Sequence, residues 1–183
     1  MATMTEIPSL PGRSCAGCTL CCKLLSIAVL DKPRLRWCVH CAPESGCTIY
    51  DRRPEICRSF HCGWLRDAGI AEHWQPAKSK MVIAYESADR IAIHVDPGRP
   101  DGWRKEPYFS DIKRWARAAA ERRGQIIVWQ GREVIAVLPD HEKNLGALRP
   151  DQLIVTIERQ GPSGTMLDVE VREPDDPSMP NSR

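Results

Sequence analysis

The sequence predicts an α+β protein in which an irregular, cysteine-rich N-terminal module packs on a small antiparallel sheet with one main helix. Three observations predict it. All nine cysteines of the 183 residues fall between Cys15 and Cys62, in a stretch with little regular periodicity. From Lys80 onward, short runs rich in Val, Ile and Ala are separated by turn residues, the pattern of hairpin strands. Among these runs lies one stretch, Asp111–Arg123, whose apolar residues recur at helical spacing.

Residues 1–13 read as a polar, flexible leader, and residues 14–66 as the Cys-rich module. The module opens with Cys15-Ala-Gly-Cys18-Thr-Leu-Cys21-Cys22, where Gly17 permits a positive φ between the first two thiols. Cys18, Cys21 and Cys22 are spaced i, i+3, i+4, so a helix starting here would present them on one face. Asp31-Lys32-Pro33 reads as a turn. Trp37-Cys38-Val39-His40-Cys41 is a C-x2-C knuckle with an embedded histidine, and Gly46–Tyr50 is a short strand-like piece around Cys47. Asp51-Arg52-Arg53-Pro54 looks like a helix start, with Asp51 or Arg53 near the cap and Pro54 at the first helical position. The helix Pro54–Phe60 would carry Cys57, with His61 and Cys62 following.

Residues 67–79 change composition and read as a linker to an α+β domain spanning 80–172. There Lys80–Glu86 and Arg90–Asp96 flank Ser87-Ala88-Asp89, Gln125–Gln130 and Glu133–Leu138 flank Gly131-Arg132, and Asp151–Arg159 and Thr165–Arg172 flank Gly161–Gly164. Between the first two hairpins, Ser110 is placed to cap the helix Asp111–Arg123, with Ile112, Trp115, Ala116, Ala119 and Ala120 on its apolar face. The tail 173–183 is too polar and proline-rich to fold alone and is expected to be disordered.

Net charge is +2, with acids and bases mixed along the chain and no basic block to grip a phosphate backbone, so nucleic acid is not implied. The longest apolar runs, such as Ile126–Trp129 and Val134–Leu138, are strand-sized and far too short to span a bilayer. The N-terminal residues lack the features of a signal peptide, which leads to the expectation of a cytoplasmic protein. In a reducing compartment, a dense and odd-numbered set of cysteines points to metal rather than to disulfides. The candidate ligands are Cys15, Cys18, Cys21, Cys22, Cys38, Cys41, Cys47, Cys57 and Cys62. Cys22 and Cys62 rank below the rest, because neighbouring helical residues such as Cys21 and Cys22 diverge. Zinc and iron, the latter as an iron–sulfur cluster, both suit thiolate donors. The first third has too little apolar sequence to fold alone, so its stability is expected to come from the metal.

The run Cys15-x2-Cys18-x2-Cys21-Cys22, the pair Cys38-x2-Cys41 and the segment Gly46-Cys47-Thr-Ile-Tyr50-Asp-Arg-Arg-Pro54-Glu-Ile-Cys57-Arg-Ser-Phe60-x-Cys62 resemble the bacterial YkgJ-like cysteine-cluster family, which is described as zinc- or iron-chelating and marked by a CxxCxxCC signature. The resemblance covers roughly the first third of the chain. It implies metal or cluster binding and implies no particular reaction.

Other constellations have plainer readings. His94-Val-Asp96 with His141 matches the spelling of an iron(II) facial triad, a pattern short enough to arise by chance. His40 and His61 are either ligands or neighbours that hydrogen-bond a sulfur. Arg52, Arg53 and Arg58 would balance thiolate charge. The six tryptophans do not alternate with basic residues and read as packing. The expectation is a metal-binding protein with a metal ion as its partner. An iron–sulfur redox protein or metalloenzyme is the first alternative and a zinc module on nucleic acid the second. Any functional face is expected near Cys62-Gly63-Trp64, where the module meets the sheet, with His94 and Trp115 as candidates for the far wall.

Overall fold

The chain wraps its cysteine-bearing segments around the edge and one face of a five-stranded sheet. The structure, a computed structural model, describes residues 9–15, 17–43, 45–161 and 164–176; the expected leader up to residue 8 and tail from residue 177 lie outside these.

The N-terminal module holds a five-residue helix, α1 (Leu20–Leu24), a two-residue ladder of β1 (Cys41–Ala42) with β2 (Gly46–Cys47), and two further short helices, α2 (Glu55–Ser59) and α3 (Gly63–Arg66). Helices this short do not persist by propensity, so packing and caps must hold them. Leu20 and Leu24, four residues apart, are both buried. At the end of α1 the buried Lys32 ammonium donates to the carbonyls of Lys23 and Leu25, taking up acceptors that a helix terminus leaves open. At α2 the expectation shifts by one residue. Pro54 is extended, with ψ 153°, and serves as the N-cap, its carbonyl accepting from the Cys57 and Arg58 amides.

The second half contains α4 (Pro76–Ser79), β3 (Met81–Ser87), β4 (Arg90–Val95), α5 (Tyr108–Ala120), β5 (Gln125–Gln130), β6 (Glu133–Val137), β7 (Glu142–Ala147), β8 (Leu153–Gly161) and β9 (Gly164–Arg172). The α+β class is as expected, with α5 as the main helix. The main sheet runs β3-β4-β5-β6-β7, and β8–β9 form a separate antiparallel ribbon. Its ladders are antiparallel except β4–β5, which is parallel. The connection carrying α5 across the sheet is long enough to return the chain in the same direction, which a hairpin turn is not.

α5 starts at Tyr108 rather than after Ser110. The extra turn brings the Tyr108 ring 4.9 Å from Trp74 and the Phe109 ring 6.3 Å from Trp103, so aromatic packing overrides the serine cap. β7 was not expected, because Glu-Lys-Asn-Leu-Gly-Ala lacks a strand pattern. It is an edge strand held by its ladder to β6, with a register shift opposite Val134 and Ile135.

One core joins both halves. On the α5 side of the sheet, Ile83, Ile93, Ile126 and Val128 pack with Ile112, Ala116 and Ala119, and Leu20, Leu24, Trp64 and Leu65 belong to the same cluster. The segment 67–79, expected as a linker, is part of it. Ile70 and Trp74 are buried there, and the Trp74 indole N–H donates to Asp111 at 2.9 Å. Each fully buried side chain of this kind contributes about 1.5–3 kcal/mol toward holding the segment against the core. Arg13, at the end of the expected leader, donates to the carbonyls of Trp64, Asp67 and Ile70. On the opposite face, Ile154 of β8 and Val169 of β9 cover Ile127, Val134 and Ala136. Among the described residues no helix is long and apolar enough to cross a membrane.

Candidate metal centre

The nine cysteines come from four stretches of chain. Cys15 and Cys18 lie on a turn closed by a 2.9 Å bond from the Cys18 amide to the Cys15 carbonyl, and Gly17 has the expected positive φ, 72°. Cys21 and Cys22 sit on α1. The knuckle is tied to that helix by the Cys38 amide, which donates to the Cys22 carbonyl at 3.0 Å. Cys41 faces Cys47 directly across the β1–β2 ladder. Cys57 lies in the middle of α2, and Cys62 caps α3. All nine are free thiols, with Cys38 and Cys62 buried.

Eight of them line a single cleft of about 1330 Å³, Cys41 being the exception. Cys41 instead donates its thiol to the sulfur of Cys22, as does Cys21. Cys22 thus has both Cys21 and Cys41 as immediate neighbours. The divergence of neighbouring helical residues does not prevent the two sulfurs from meeting. The thiol bonds from Cys21 and Cys41, with Lys32 and Arg53 nearby, lower the Cys22 pKa to about 6 against the opposing effect of burial. Burial and the neighbouring sulfurs push Cys15 and Cys41 up to about 11. One thiolate among protonated neighbours is the charge state such a crowd of like groups favours.

The balancing cations are Lys32 and Arg53. Arg53 also lies over the Tyr50 ring at 3.9 Å. Arg58, which sequence put in the same role, pairs instead with Glu55 at 2.6 Å on the surface, and Arg52 is exposed. Lys32 could not be found from sequence, since Asp31-Lys32-Pro33 signals a turn and nothing signals that the lysine folds back under α1. His40 faces the cleft, whereas His61 is turned to the Ser59 carbonyl at 3.3 Å.

The His94, Asp96 and His141 pattern does not assemble. Asp96 accepts 2.8 Å bonds from Lys23 on both carboxylate oxygens, an ion pair that ties α1 to the end of β4, and a third from the Gly98 amide. His141 lies 3.6 Å from Asp168, beside the β8–β9 ribbon. Strand alternation put His94 and Asp96 on one face, but each side chain has a different partner.

The opposite wall of the cleft is the sheet: Val82, Ala84, Glu86, His94 and Trp129. Cys62 and Trp64 both line the cleft and are buried, with the Trp64 indole N–H donating to Glu72 at 3.2 Å. His94 is on the far wall as expected. Trp115 is not; it packs against Trp74 at 4.9 Å on the other side of the sheet. Arg34, absent from the sequence-based candidates, reaches the far wall from the loop after α1.

Among the described residues, no three His, Cys, Asp or Glu side chains are grouped so as to hold one metal ion. The donor chemistry fits a soft or borderline cation: nine sulfurs, one already favouring the thiolate, with the buried Lys32 and the half-buried Arg53 to offset the charge. No family model, curated protein or solved structure matches the chain.

Proposed function

We propose that this protein binds zinc or an iron–sulfur cluster through its cysteines, in a cytoplasmic setting that keeps the thiols reduced. The observation that carries this reading is the convergence of all nine cysteines, drawn from four separate stretches, on one cleft and its immediate rim. Thiols kept for packing alone would be dispersed through the core. The resemblance of the Cys15–Cys62 segment to YkgJ-like proteins supports the same reading. Cys21, Cys22, Cys38, Cys41 and Cys57 are the first candidates to hold the metal, with Cys15, Cys18, Cys47 and Cys62 around them. A bound ion or cluster would supply Lewis-acid or electron-transfer chemistry.

A second reading, a metalloenzyme or redox protein built on the same site, is favoured by the cleft itself. A purely structural site is closed on all sides, whereas here the thiol wall borders a space large enough for a ligand. Metal analysis and a visible spectrum on protein purified without oxygen test both readings. Zinc at about one or two equivalents with no visible absorption supports a zinc site, and iron with sulfide and a brown chromophore supports a cluster. Protein free of both, and unable to take up either, would overturn the proposal.

A further inference from the structure

Neighbouring residues on a helix point about 100° apart, so Cys21 and Cys22 leave α1 in different directions even though their sulfurs touch. The burial of Leu20 and Leu24 fixes the roll of that helix. The other thiols divide around the two. Beyond Cys22, the sulfurs beside Cys21 are those of Cys15 and Cys18. The sulfurs that act most strongly on Cys15 are those of Cys62 and Cys18, ahead of Cys22. Cys62 is acted on in turn by Cys18, and both pack in the core shared with the sheet. The turn closed between Cys15 and Cys18 and the start of α3 thus bring four thiols to one side of α1.

On the other side, Cys22 meets Cys41, which stands opposite Cys47 in the β1–β2 ladder. The Cys41 amide donates to the Cys38 carbonyl at 3.0 Å, and the Cys38 amide to the Cys22 carbonyl at the same distance. The strongest thiol neighbours of Cys41 and of Cys57 are the same three, Cys22, Cys38 and Cys47. Arg53 acts on Cys15 of the first group and on Cys22 and Cys57 of the second, so its guanidinium stands between the two.

We infer that the cysteines form two metal sites, each able to hold a zinc ion: one from Cys15, Cys18, Cys21 and Cys62, the other from Cys22, Cys38, Cys41, Cys47 and Cys57. The inference rests on the metal-binding reading above and adds to it the number of ions and the ligands of each. Four thiolates complete a tetrahedral zinc site, so the first set is full and the second has one sulfur to spare. An ion with four thiolates is negatively charged, and a guanidinium between two such centres offsets their repulsion. Among the described residues no three side chains are grouped so as to hold one ion, so each set has to draw inward as its ion binds. The exposed Val39 and Ile56 beside the second set, and the glycine turn of the first, leave the backbone free to do so. Cys21 and Cys22 are then ligands of different ions, which their divergence on α1 favours.

The test uses the full-length protein, reduced and loaded with zinc without oxygen, and counts ions by native mass spectrometry. The parent should carry two. The double variant Cys15→Ser with Cys18→Ser should lose one ion to a competing chelator that leaves both in the parent, and so should Cys38→Ser with Cys41→Ser. Circular dichroism checks the fold of each. Should either variant not fold, the parent decides alone. Partial extraction by the chelator yields molecules with one zinc, and N-ethylmaleimide then labels the thiols that the departed ion had covered. In each such molecule Cys15, Cys18, Cys21 and Cys62 should be labelled together or protected together. A single zinc in the parent, lost by both double variants, would overturn the partition and leave the metal reading standing. Two ions with labels split within that set of four would overturn the ligand assignment. A parent that takes up no zinc would overturn the two-site inference, and the metal reading would fall with it only if iron were refused as well.

Discussion

A Cβ atom built on Gly63 would stand 2.7 Å from Ile83 Cγ2, closer than real side chains approach. Cys62, the last thiol of the cluster, is the neighbouring residue, so the docking of α3 on β3 sets where that thiol lies. Gly63→Ala should therefore destabilise the protein by about 1–3 kcal/mol, the usual cost of overpacking a well-filled contact. For a chain of this size that is a fall in Tm of roughly 2–10 °C. Calorimetry reads it directly, and an unchanged Tm would mean that this contact is looser than the structure shows.

On the proposed metal-binding reading, metal removal should act unevenly on the module. Trp64 and Leu65 are buried in the core shared with the sheet, whereas Trp37, Val39, Tyr50 and Ile56 are exposed and have little apolar support. Stripping the protein with a strong chelator should raise amide exchange across residues 37–58. Residues 62–66 and the strands of the sheet should stay protected. Uniform protection of 37–58 in metal-free protein would count against metal as the source of order there.

Lys32 is buried, donates to two carbonyls at the end of α1 and lies beside the thiols, above all Cys22. Lys32→Met leaves those carbonyls without their donor and removes a cation from the thiolates. The expected loss is about 1–3 kcal/mol of stability. Metal retention should fall as well, measured as the chelator concentration that extracts half of it. A variant that loses stability yet holds metal like the parent would assign Lys32 to the helix terminus alone.

His94 makes acid sensitivity measurable. Burial, followed by the charge of Arg34, lowers its pKa to about 3, against about 6.5 in an unfolded chain. The unfolded state therefore takes up a proton first as pH falls. Stability is full above about pH 6.5 and is lost between there and about pH 3, at up to about 1.4 kcal/mol per pH unit. Arg34 adds to the effect, and Glu86 on the same wall, its own pKa raised by burial, offers little charge to oppose it in acid. Asp96 and Asp168, lowered by Lys23 and Lys143 against the effect of burial, stabilise the fold above about pH 4 and lose that contribution only as pH falls below it. Denaturant titrations from pH 7.5 to 4 should show a shallower acid arm for His94→Gln than for the parent. Parallel curves would sink the assignment.

The strands from Met81 to Val137 were legible because alternation and turn residues agree there, and so was the positive φ of Gly17. The hidden parts share a cause: they are set by tertiary partners rather than by local pattern. Glu142–Ala147 becomes a strand because β6 offers it an open edge. Residues 67–79 look polar and many are exposed, yet Ile70 and Trp74 are buried and anchor the segment to the core. The cysteine set was readable as a set, but the meeting of Cys22 with Cys41 depends on the knuckle being tied to α1 by the Cys38 amide. Arg34 and Lys32 have no signature at all, since a loop cation shows its role only once the surface it folds against exists.

The shared cleft has a consequence for anyone wishing to move the cysteine cluster elsewhere. One wall comes from residues 15–62 and the other from residues 82–129, so neither stretch contains a finished cavity. Grafted onto a foreign scaffold, the cysteine segment would bring its sulfurs but leave Val82, His94 and Trp129 behind, and its interior side would open to water. Cutting the chain between Arg66 and Met81 should accordingly yield halves that regain a working site only by reassociating, as split-protein fragments do.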